Sequence, residues 1–87
     1  MTSMTNHDAW LFAASWGSMM HSGDPGACLY GFSEDFKVQS EKHRRDCIRE
    51  MESNRVYVTQ HPGDYAEDEL QQIDSLIAKL RDAEVIQ

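Results

Sequence analysis

The chain has 87 residues, with fifteen acidic side chains against eight basic and a formal net charge of −7. A chain of this length makes one domain, buries only about 60–65% of the surface it exposes when unfolded, and leaves little room for an enclosed active site. The acidic balance argues against general affinity for DNA, RNA or an anionic membrane.

The charge is unevenly placed. Residues 1–36 carry four acids and no base, residues 56–87 carry seven acids against Lys79 and Arg81, and only the stretch from Lys37 to Arg55 is net basic, with six bases against four acids. Its centre is Lys42-His43-Arg44-Arg45, one basic island on an acidic molecule. Such an island is either the solvated face of a helix or a contact for an anion.

The first element expected is a helix over about residues 6–21. Thr5 or Asn6 can cap it, Asp8 favours its positive end, and Trp10, Ala13, Ala14, Gly17 and Met20 recur at helical spacing. Phe12, Trp16 and Met19 widen that apolar face, so the helix is central to the core or part of a subunit interface. The apolar run Ala9 to Met20 is too short to cross a bilayer and has no Lys or Arg before it, which points to an intracellular protein with reduced cysteines.

Ser22 to Phe32 then reads as a long structured loop, with Gly23, Gly26 and Gly31 around Asp24-Pro25-Gly26. Proline fixes its own φ and pushes the preceding residue out of the helical region, so the tripeptide specifies a turn. The loop matches neither a P-loop nor a dinucleotide fingerprint. It either docks Leu29, Tyr30 and Phe32 into the core or forms a backbone nest for an anion. In the second case Gly23, Asp24 and Gly26, the rings of Trp16 and Tyr30, and Lys42, Arg44 and Arg45 from the following helix would hold a phosphate-bearing ligand.

A second helix is expected over about 40–55, with Ser40 as N-cap and an apolar stripe of Cys47, Ile48 and Met51; a start at Ser33-Glu34-Asp35 is the alternative. Val56-Tyr57-Val58-Thr59 has strand propensity but no evident partner strand and reads as an extended connector. The third helix is expected over about 64–83, with Asp64 as cap, acids in the first turns, and Leu70, Ile73, Leu76, Ile77 and Leu80 on one face. The fold class that follows is all-α: a small three-helix bundle in a single domain, residues 1–87, with a long Gly/Pro loop between the first two helices. A core this thin favours self-association, and a dimer is the expectation.

No catalytic motif with a known mechanism is present, and a non-enzymatic role is expected. His21, Cys28, His43 and Cys47 are of the types that ligate tetrahedral zinc, and His43 and Cys47 share a helical face at i,i+4. The spacing lacks the tight Cys-x-x-Cys knuckle of common zinc modules, so plain core and surface roles, a zinc-stabilised regulatory module and a Cys28–Cys47 pairing all stay open. Paired acids such as Glu34-Asp35 and Glu67-Asp68-Glu69 fit helix starts rather than acid–base chemistry.

Trp16-Gly17-Ser18, Ser22-Gly23-Asp24-Pro25-Gly26-Ala27-Cys28, Tyr30-Gly31-Phe32 and Gln39-Ser40-Glu41-x-His43-Arg44 together resemble a family of small phage- and prophage-encoded proteins over roughly residues 16–47. The resemblance implies a setting, the bacterial cytoplasm during infection, and assigns no residue a role. Small acidic proteins of that setting include inhibitors of host defence, such as anti-CRISPR proteins, and oligomeric helical sponges for signalling nucleotides. The leading expectation is an inhibitor whose acidic surface engages a nucleic-acid-handling host protein, without direct contact to nucleic acid or membrane. A small-ligand binder is the alternative.

Overall fold

The structure, a computed structural model, describes residues 4–19, 29 and 32–86. Among them are three long α-helices: α1 (Asn6–Met19), α2 (Glu41–Gln60) and α3 (Glu69–Asp82). The fold is all-α, as the helical spacings predict. Of the expected Gly/Pro loop, Ser22 to Phe32, only Leu29 and Phe32 are described; the rest lies outside the described residues, as do residues 20 and 21 at the expected end of the first helix.

Helices α2 and α3 form the main packing unit, and α1 lies against α3. Each buries one stripe: Ala9, Ala13 and Trp16 on α1, Cys47, Met51 and Val58 on α2, and Ile73, Leu76, Ile77 and Leu80 on α3. Leu29, Phe32, Phe36 and Val38 complete the core. The α3 stripe is the predicted one, with Leu70 half-buried at its edge. On α1 the expected face holds at Ala13, Gly17 and Trp16, which are buried together with Ala9, while Trp10 and Ala14 are only half-buried and Met20 lies outside the described residues.

Two boundaries differ from the sequence reading for identifiable reasons. Val56–Thr59 is helical rather than an extended connector, because Val58 falls on the same buried stripe as Cys47 and Met51. Burial of one face outweighs a local β-propensity of a few tenths of a kilocalorie per residue. Thr59 adapts by donating its hydroxyl to the Arg55 carbonyl at 2.9 Å. The third helix starts at Glu69, not Asp64, with Asp68 in the cap position. The intervening chain turns at His61-Pro62-Gly63, where Gly63 adopts φ 94°, and this turn docks Tyr65 on Trp16 with ring centroids 5.9 Å apart.

The start of α2 is set locally. Ser40 is its N-cap, accepting the His43 amide at 3.1 Å, and the His43 ring reaches back so that Nδ1 accepts the Gln39 amide at 3.0 Å. The pair is related to a capping box with histidine in the Glu/Gln role, but the ring accepts from the residue before the cap rather than from the cap itself. Upstream, Phe36 has φ 58°, a left-handed conformation that costs a bulky residue about 1 kcal/mol or more. Its ring stacks on Phe32 at 4.5 Å, and Phe32 packs on His43 at 4.9 Å, so core burial holds the strained turn in place. Val38 then forms a single parallel bridge with Val85: its amide donates to Glu84 and its carbonyl accepts from Ile86, each at 2.8 Å.

Candidate functional site

The open end of the α2–α3 pair is fastened by Arg44. Its side chain is only 16% exposed; Nε donates to Glu41 at 2.8 Å, and Nη1 donates to the carbonyls of Leu80 and, at 2.9 Å, Arg81. Those carbonyls belong to the last turn of α3, where backbone acceptors are unsatisfied and the helix dipole is negative. The Arg44 guanidinium beside Glu41 in turn holds that carboxyl below its ordinary value. Arg44, a sequence candidate for binding an anion, therefore spends its fork as a cap on another helix.

Lys42 and Arg45, the island's other cations, are exposed on α2. Lys42 pairs with Asp46 at 2.7 Å and Arg49 approaches the same carboxylate at 3.8 Å, which lowers the Asp46 pKa, chiefly through the Lys42 hydrogen bond. Arg45 is exposed beside Glu41 and Asp46. Trp16, a candidate stacking surface, is a core side chain at 3% exposure. Its buried indole N–H has no well-aligned acceptor, though it faces the Glu69 carboxylate closely enough to oppose the upward push of burial and Asp68 on that group's pKa. Gly23, Asp24, Gly26 and Tyr30 lie outside the described residues.

Of the four zinc candidates, His21 and Cys28 also lie outside the described residues. Cys47 is fully buried in the apolar core, and His43 is occupied in the N-cap of α2. Among the described residues no three His, Cys, Asp or Glu side chains are grouped to hold a metal ion. No helix among them is long and apolar enough to cross a membrane.

A groove of about 470 Å³ lies elsewhere among the described residues, along the seam of α1 and α3. Met4, Leu11 and Phe12 give it apolar lining, Gln71, Gln72 and Ser75 line it from α3, and Asp8 and Asp68 line it with acidic side chains. None of these residues is buried, and none is basic, so the groove is open and acidic. Lys79 of α3 contacts the Asn6 side chain at the start of α1, so the two helices run antiparallel. That places Asp8 near the Ser75 end of the seam and Asp68 at the other. Asp68 also accepts from Gln72 Nε2 at 3.2 Å.

The sequence reading missed this groove because it joins residues about sixty positions apart. The local signal was the surplus of apolar residues on the first helix. Leu11, left 49% exposed, is part of that surplus. Comparison of the chain with protein-family models, with curated protein sequences and with solved structures returns no match.

Proposed function

We propose that the chain is a non-enzymatic binding protein of phage type that acts in the bacterial cytoplasm, presenting its acidic surface to a basic face of a nucleic-acid-handling host protein and so inhibiting a host defence. The observation that carries this reading is the separation of charge. Lys42, Arg49 and Arg55 of α2 are drawn into ion pairs and Arg44 into capping α3, whereas the groove and the turn leading into α3 present Asp8, Asp64, Glu67 and Asp68 outward. An acidic surface beside exposed apolar side chains combines long-range attraction for a basic partner with area to bury on contact.

The test is affinity capture from bacterial lysate at low and high salt, with mass-spectrometric identification, comparing the native chain with Asp64→Lys/Glu67→Lys. Retention of a basic nucleic-acid-binding protein at low salt, its release at high salt and its loss on charge reversal are the expected outcome. An empty capture at low salt, or one indifferent to the reversal, refutes the reading.

A further inference from the structure

Resting on that reading, we infer that the α1–α3 groove is the recognition slot, and that its occupant is a short amphipathic basic helix of the partner. Both walls of the groove are helices, whose backbone amides and carbonyls are bonded internally along their length. An extended segment laid there would find no edge with which to pair its own backbone. A helix arrives with that requirement already met, so helix-in-groove docking suits this surface and strand addition does not.

The groove also sets the pattern of the occupant. Its α3 wall runs from Asp68 to Ser75, seven residues or about 10 Å of helix. Asp8 marks the Ser75 end and Asp68 the other, with Leu11 and Phe12 between. The complementary segment carries a Lys or Arg at each end of two turns, at i and i+7, and aliphatic side chains at i+3 and i+4 to rest on the apolar lining. Met4 supplies a flexible side chain that can repack around those anchors.

The probe is a fluorescently labelled synthetic peptide with Lys at i and i+7 and Leu at i+3 and i+4, measured by anisotropy at low salt. Its controls are one peptide with both Lys replaced by Glu and one with a central Pro that breaks the helix. The parent peptide is expected to bind, the Glu peptide not to bind, and the Pro peptide to bind at least about tenfold more weakly. Asp8→Asn and Asp68→Asn should each weaken the parent peptide about two- to fivefold. Leu11→Glu, an exposed position whose variant is checked for folding by circular dichroism, should weaken it at least about tenfold.

Equal binding of the Pro and parent peptides, or unchanged affinity of Leu11→Glu, overturns the inference. So does absence of binding by the parent peptide. If the peptide fails while lysate capture still depends on Asp64 and Glu67, only the groove assignment falls. If both fail, the acidic-surface reading falls with it.

Discussion

Replacing Arg44 by Ala removes two hydrogen bonds from a charged donor to the last turn of α3, and with them the link between the start of α2 and the end of α3. A hydrogen bond to a charged group contributes about 1.5–3 kcal/mol. The bond to Leu80 is partly buried and counts nearly in full, whereas the Arg81 carbonyl is exposed and can be rehydrated, so the net loss is about 2 kcal/mol. For a domain of this size that corresponds to a fall in Tm of about 8–16 °C. The assay is thermal or urea unfolding of Arg44→Ala beside Arg45→Ala, which removes an exposed neighbouring charge and should stay within about 0.5 kcal/mol of the native chain. Arg44→Lys keeps a positive charge at the negative helix end but loses the planar fork, and should recover about half of the loss. If Arg44→Ala and Arg45→Ala are equally stable, the capping argument is wrong and Arg44 is only another surface cation.

Gly63→Ala meets no steric neighbour, yet must hold φ near 94°; it should cost about 1 kcal/mol in chemical denaturation, through backbone strain alone. Ser40→Ala deletes the N-cap acceptor of α2 and should cost about 1 kcal/mol, with Ser40→Asp restoring most of it in the same measurement. Glu69 has its pKa raised by burial and by Asp68, so its proton is held more tightly in the folded chain than in the unfolded one. Its contribution to stability is therefore full below the unfolded value and is lost as pH rises through the higher folded one. Glu69→Gln should accordingly gain stability relative to the native chain as pH is raised from 4 to 7, and urea midpoints at the two values check the sign.

How much the sequence revealed depended on the range of the interaction. The Ser40 cap was legible because its partners are three and four residues away, and the α3 stripe because its spacing is a property of one helix. Val56–Thr59 was misread because local propensity speaks for a strand, while the deciding fact, the burial of Val58 in the core, is tertiary. The start of α3 was misplaced because Asp64 and Asp68 are equally good caps in isolation, and it is Tyr65 docking on Trp16 that commits the preceding residues to a turn. Arg44 and the groove were illegible for the same reason. The arginine's acceptors lie 36 and 37 residues away, and the groove exists only once α1 and α3 are side by side.

The α2–α3 hairpin is closed at both ends: by the His61–Asp68 turn at one, and by Arg44 together with the Val38–Val85 bridge at the other. A hairpin latched twice has no free end from which to unzip, and hydrogen exchange should find the amides of its two helices protected as one cooperative unit. Among the described residues α1 packs on α3 alone of the helices, held by the Lys79–Asn6 contact at one end and the Trp16–Tyr65 stack at the other. It carries Asp8, Leu11 and Phe12 of the groove. Any occupant seated there also seals α1 to the frame, and protection of the α1 amides then tracks the occupancy of the groove.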